Sequence, residues 1–269
     1  MELEPIIRLT KDLRTATATL SADEVRFLVD YYYTLQEDRI RAAHQVRTLN
    51  ESGKPHEVLA WLGANAGVLE RNIKSALGVY ANANMIGQWS QSIVGIGPII
   101  SAGLLAHIDI TKAPTVGHIW RFAGLDPTVT WERKTKRPWN ASLKTLCWKI
   151  GESFVKMSSN PNDVYGKLYL DRKAKEIERN ERGELAEQAA AKLEKFKIGK
   201  STDAYAAYSK GKLPPAHLHA RAKRWTVKLF LAHWHAVAYH VTFGKDAPKP
   251  YVLSQLQHGH EITCPNWPF

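Results

Sequence analysis

Ile93-Val94-Gly95-Ile96-Gly97-Pro98-Ile99-Ile100-Ser101-Ala102-Gly103-Leu104-Leu105-Ala106-His107-Ile108 is the stretch on which the reading of this chain turns. A helix running into Gly95-Ile96-Gly97 must stop, because two glycines in three residues favour a turn and permit positive φ. Pro98 then suits the first position of a new helix, where its missing N–H costs nothing. The pattern predicts a helix-hairpin-helix. The N–H groups of Gly97, Ile99 and Ile100 lie at the new helix start, where unpaired donors and the helix dipole attract a phosphate. Ile96, at the tip, sits against a sugar or pins the two helices together. Ala102 and Gly103 allow close helix packing. A lone Gly-x-Gly would read as a plain turn; the added proline, apolar flanks and small residues favour a phosphate grip. Such a grip reads the nucleic-acid backbone rather than its bases.

Upstream, residues 21–49 form one predicted helix. Ser21 and Glu24 have the spacing of a capping box. Val25, Leu28, Val29, Tyr32 and Leu35 give an apolar stripe that Ile40, Ala43, Val46 and Leu49 continue. Asn50–Pro55 reads as a turn, and a second helix spans about 56–92 with a break near 82–87. Two long helices on a short turn imply a coiled-coil-like antiparallel hairpin. Their stripes exceed what two helices can hide, so a homo-oligomer through residues 21–92 is expected. Downstream come a basic loop (128–138), a helix from Asn140 to about Met157, a charged helix over 163–196, a polar linker (199–215), a helix over about 216–242 and a Pro-rich tail. No period-two alternation suggests strands, so the fold class is mainly α. Three segments are expected: an arm (1–92), a nucleic-acid-binding core (93–160) and a C-terminal extension (161–269).

The net charge of +11 is unevenly placed. Residues 1–92 hold 10 Lys/Arg against 11 Asp/Glu, and the remainder holds 27 against 15. The positive excess therefore lies entirely after residue 92, which points to a polyanionic partner. Arg133, Lys134, Lys136 and Arg137 in the basic loop, with Lys144 just beyond it, are the candidate phosphate contacts outside the hairpin. No run of apolar residues is long enough to span a bilayer, so no membrane partner is expected. The first residues lack a signal-peptide pattern, and Cys147 and Cys264 make no disulfide framework. A cytoplasmic, nucleoid-associated protein of bacterial or phage origin is expected, with no cofactor.

Gly95-Ile96-Gly97-Pro98, Trp120-Arg121-Phe122-Ala123-Gly124-Leu125-Asp126-Pro127 and Asn140-Ala141-Ser142-Leu143-Lys144 together resemble a known series. The match is to the C-terminal domain of insertion-sequence transposases that pair an RNase-H-like, four-acid domain with a serine-bearing domain, the bridge-RNA-guided recombinases. It covers roughly residues 20–160. The resemblance implies DNA transposition or recombination, with Ser142 in the place of the nucleophilic serine. Asn140 can cap the helix and Ser142 would lie in its first turn, where the dipole favours a developing alkoxide or a bound phosphate. An ordinary helix-start serine fits the position equally. Trp139 stands where the family has glycine. Residues 1–92 carry no strand pattern for the acidic domain, so a nuclease domain would come from a separate partner. Three readings follow: an accessory DNA-binding protein, a serine-dependent recombinase subunit, or a protein that binds structured RNA or serves as a scaffold.

Late in the chain, His217/His219, His233/His235 and His258/His260 form three His-x-His pairs. His258, His260 and Cys264 are the candidate zinc ligands. On a helix, however, residues two apart face different ways, so hydrogen-bonded histidines packed among aromatics are the expected arrangement for His233 and His235. Arg221, Lys223, Arg224 and Lys228 form a basic helix start, either exposed surface or a second phosphate contact.

Overall fold

Ser21 begins the first long helix as its spacing predicts: its hydroxyl accepts from Glu24 N–H, and the Glu24 carboxylate accepts from Ser21 N–H at 2.7 Å. The computed structural model describes residues 10–53, 57–249 and 262–268, and contains no strand among them. A short helix α1 (Lys11–Ala16) and a 3-10 turn precede α2 (Ala22–Glu51), which pairs with α3 (Glu57–Asn82). An Arg39–Glu70 ion pair at 2.6 Å ties the two together. Val25, Val29 and Tyr32 of α2 pack with Leu77 and Ala81 of α3 at the root of the arm. Nearer the turn, Ile40, Leu62 and Leu69 of the stripes read from the sequence remain exposed, as do Val58 and Trp61, while Val46, Leu49 and Leu59 are half-buried.

The predicted break falls at Ala83–Asn84, where the Asn84 side chain accepts from Ile86 N–H and starts α4 (Met85–Ser92). Beyond the turn, α5 (Pro98–His107) is apolar around nearly its whole circumference. The reason is its position between two cores. Ile99, Ala102 and Ala106 face the arm, while Ile100 and Leu104 face a larger central core. That core also takes α6 (Val116–Phe122), α7 (Ala141–Met157), the start of α8 (Val164–Glu181) and, from the far end of the chain, α11 (Pro215–Phe243). Phe230, Leu231, Trp234, Val237 and Ala238 of α11 join this core, the helix packing against α4, α6, α7 and α8. A boundary at residue 160 would therefore cut through one continuous core.

Two further departures have local causes. The expected helix over 163–196 is split into α8 and α9 (Ala186–Lys195), because Gly183 adopts φ +79° and lets Leu185 turn inward to pack with Ala189, Leu213 and Leu218. The expected linker contains α10 (Asp203–Ser209), started by the Thr202 hydroxyl accepting from Tyr205 N–H. Glu176 of α8 is buried to 1%, pairs with Arg172 one turn earlier on α8 (2.5 Å), and joins α8 to α11 through Arg221 (2.8 Å). Burial alone would raise its pKa; the bond and charge of Arg221, with Arg172, outweigh that and hold it below the usual value.

Four histidines in α11 serve the packing. His233 meets Tyr165 Oη at 2.7 Å and the Ile262 carbonyl at 2.9 Å, and His235 meets the Ala113 carbonyl at 2.8 Å. His217 and His219 meet the hydroxyls of Tyr208 and Tyr169. The tail segment 262–268 also returns to α4: Trp89 donates to the Pro265 carbonyl at 3.0 Å and Asn266 to the Ser92 carbonyl at 3.1 Å. Burial lowers the pKa of His107, His217, His219 and His235. Neutral in the fold and freer to protonate once unfolded, these groups favour the unfolded state as pH drops. The melting temperature is therefore expected to hold above neutrality and to fall as pH is lowered through about 6.5, the ordinary histidine value, before carboxylates titrate. A flat melting temperature between about pH 7 and 5.5 would contradict this assignment.

Candidate nucleic-acid interface

The segment read as a helix-hairpin-helix consists of α4, the turn Ile93–Gly97 and α5. Gly95 sits at φ +92°, in the region that disfavours side chains. Its carbonyl accepts from Ser153 Oγ of α7 at 2.5 Å, and an added Cβ would lie 3.4 Å from Phe154. The turn is thus clamped onto the C-terminal half of α7. Ile96 resolves to the packing role: its side chain is buried in the central core and its N–H is taken by the Ile93 carbonyl at 3.0 Å. It offers a phosphate nothing, which corrects its place among the candidate contacts. Ile99 and Ile100 also bury their side chains, leaving only their backbone groups for a ligand. No side chain caps α5, and among the described residues none accepts from the N–H groups of Gly97, Ile99 or Ile100. Gly97 is exposed, with open space where a Cβ would be. The hairpin therefore presents the donors its sequence predicts, carried by backbone alone.

The basic loop lies at the other end of α7. Trp131 closes it by donating from Nε1 to the Thr135 carbonyl at 2.9 Å, and Thr135 bonds back to the Glu132 carbonyl. Lys134 occupies the tight position at φ +75°. Arg133, Lys134, Lys136 and Arg137 are all exposed and make no ion pair among the described residues. Arg137 stacks over Trp131 at 5.5 Å, Trp131 meets Trp139 edge-on at 6.3 Å, and Lys144 Nζ lies 4.0 Å from the Trp139 ring centre. Gly124, at φ +64°, makes room for this stack: an added Cβ would be 2.9 Å from Trp139. Trp139 thus fills a space that a glycine at position 139 would leave open. Lys144 is pushed toward losing its proton by burial first, then by the charges of Arg137 and Arg224.

From Asn140 to Ser153 is 13 residues of α7, so the loop and the hairpin turn are separated by roughly 20 Å along the helix. The sequence places both in one core; the structure holds them at opposite ends of one rod. That distance equals about six base-pair steps of duplex at ~3.4 Å each.

Asn140 caps α7 through its side chain, accepting from Leu143 N–H at 2.8 Å. Ser142 is exposed in the first turn and lines a cleft of about 200 Å³ with Asp30, Tyr33, His107, Thr145 and Lys149. Its hydroxyl has no hydrogen-bond partner among the described residues, and no base touches it. His107 and Asp30 share the cleft, a grouping invisible in the sequence because α2, α5 and α7 converge only in the fold.

The basic start of α11 divides. Arg221 is occupied by Glu176 and Gln188, and Lys223 by Glu152. Lys228 lies 4.1 Å over Trp120, whose Nε1 donates to the Lys228 carbonyl. Arg224 is exposed, has no acidic partner among the described residues, and acts on Lys144. Cys264 is half-buried, its thiol pushed up to about 12 by burial and 3.7 Å from the Pro265 carbonyl. Its expected co-ligands His258 and His260 lie outside the described residues. Among the described residues no group of three His, Cys, Asp or Glu is placed to hold a metal ion, and no helix is long and apolar enough to cross a membrane.

Comparison with protein-family models, with curated proteins and with solved structures finds no match to this chain.

Proposed function

We propose that this protein binds DNA by its phosphate backbone and acts as a transposase-like accessory protein in DNA transposition or recombination. The observation that carries the reading is that α7 holds the uncapped start of α5 near one end and, at the other, a cluster of exposed cations with no ion-pair partner among the described residues. Backbone N–H groups at Gly97, Ile99 and Ile100 take one phosphate, and Arg133, Lys134, Lys136, Arg137 and Lys144 take others along the same duplex. The transposition context comes from the resemblance of the Gly95–Pro98, Trp120–Pro127 and Asn140–Lys144 motifs alone. This is a binding role: the Ser142 hydroxyl is poised against no base, and a denaturant-resistant protein–DNA adduct that disappears in Ser142→Ala would overturn that part.

Salt titration of duplex binding tests the whole. Five cations on phosphates predict a slope of log affinity against log salt near −4 to −5, about a 10²–10³-fold loss between roughly 50 and 200 mM. Affinity that is absent at low salt, or indifferent to salt, removes the reading.

A further inference from the structure

We propose that the face shared by α7 and α11 binds an unpaired strand of DNA, with Trp148 as the platform on which a base stacks. This rests on the nucleic-acid reading above and adds the state of the strand. Lys144, Trp148 and Glu152 follow one another at four-residue spacing and so lie along one face of α7. Lys223 of α11 packs directly beside Gly151, where an added Cβ would lie 2.5 Å from its stem. Its ammonium bonds Glu152 and stands 5.4 Å from the Trp148 ring centre. Trp148 is nevertheless 57% exposed, second among the exposed tryptophans of the described residues only to Trp61 of the arm.

The same face continues into the basic loop, where Arg137 lies over the 38%-exposed Trp131, Trp131 meets Trp139, and Lys144 lies over Trp139. Three indoles thus share one strip with Arg137 and Lys144, while Lys223 beside Trp148 is held by Glu152; Arg224, exposed on α11, has no acidic partner among the described residues. Duplex DNA presents phosphates to such a strip but keeps its bases stacked inside, so it has no use for the indole faces. An unpaired strand supplies both phosphate for the cations and base faces for the tryptophans, the combination on which single-strand binding rests. A single exposed tryptophan is ordinary surface; a run of indoles flanked by cations on one ridge is what selects this occupant.

The experiment measures binding of the full chain, at low salt, to a labelled single-stranded deoxyoligonucleotide and to the duplex of the same sequence. Trp148→Ala is expected to weaken single-strand binding about five-fold or more while duplex affinity stays within about two-fold. Trp148→Phe should restore most of the loss, since a ring remains. An oligonucleotide made largely of abasic sites should bind wild type no better than the intact strand binds Trp148→Ala. Equal losses on single strand and duplex, no loss on either, or undiminished abasic binding overturns the proposal. A ribo-oligonucleotide bound more tightly than its deoxy counterpart overturns the assignment to DNA. If neither form of DNA binds, the reading beneath it fails as well. If Gly97→Asp removes duplex binding while Trp148→Ala leaves single-strand binding untouched, only this inference fails. Trp148 lies outside the core, so an unchanged melting temperature verifies that the variant is folded.

Discussion

Gly97→Asp is expected to leave the protein as stable as wild type or slightly more so, while weakening duplex binding at least ten-fold. The two effects run in opposite directions for one reason. Gly97 is the N-cap of α5, at φ −91° and ψ 178°, a conformation open to any residue, and space is clear where its Cβ would be. Aspartate is among the preferred N-caps, and its carboxylate would accept from the N–H groups of α5 that now have no partner among the described residues. The gain over glycine is a few tenths of a kcal/mol, with a further small contribution from the helix dipole. The same carboxylate occupies the donors a phosphate would use and sets a negative charge in its place. Ten-fold weaker binding corresponds to about 1.4 kcal/mol. Thermal melts and equilibrium binding on one preparation check both halves. A destabilised variant would mean that the turn is strained in a way its geometry does not suggest. A stable variant with undiminished affinity would mean that DNA does not touch the hairpin.

The second large effect is structural. Phe154→Ala is expected to cost about 3–5 kcal/mol, the range for deleting a buried aromatic. Phe154 is 1% exposed, stacks on Tyr165 with ring centres 4.8 Å apart, and meets Phe230 edge-on at 5.5 Å. It also lies under the Gly95 turn. One side chain therefore joins α7, α8, α11 and the hairpin, and the space it leaves cannot be filled by any one neighbour moving. For a chain of this size the loss corresponds to a melting temperature lower by roughly 6–20 °C, measured by calorimetry. Phe154→Leu should lose much less, because it keeps most of the apolar volume. Since the hairpin turn rests on Phe154, duplex affinity should fall in the alanine variant even below its melting transition. A shift under about 2 °C would show that the aromatic junction does not hold the fold together.

Signals confined to a few neighbouring residues proved legible. Ser21 and Glu24 form the capping box, Asn140 caps α7, and Pro98 opens α5 after a glycine at positive φ. Each depends only on hydrogen bonds and torsions within one helical turn, so residue identities suffice. Thr202 was an equally local cap that the polar composition around it concealed. Gly183 concealed a helix end in the same way, since a charged stretch reads as continuous helix.

The sequence by itself determined a mainly helical chain, the arm of α2 and α3, the Gly95–Pro98 turn with its uncapped donors, and the position of the cations. The tertiary structure decided what those parts face. It buried Ile96, turned α5 into a rod shared by two cores, and brought α11 across from the far end of the chain to complete the central one. It spent Arg221 and Lys223 on Glu176 and Glu152 while leaving Arg224 beside Lys144. The physical reason is range. Caps and turns are settled by atoms a few bonds apart, whereas burial and charge pairing depend on which surfaces meet after 100 residues of intervening chain have folded, as between Trp120 and Lys228 (|i−j| = 108). The hairpin's donors are written in the sequence; their distance from the basic loop is set by the length of α7.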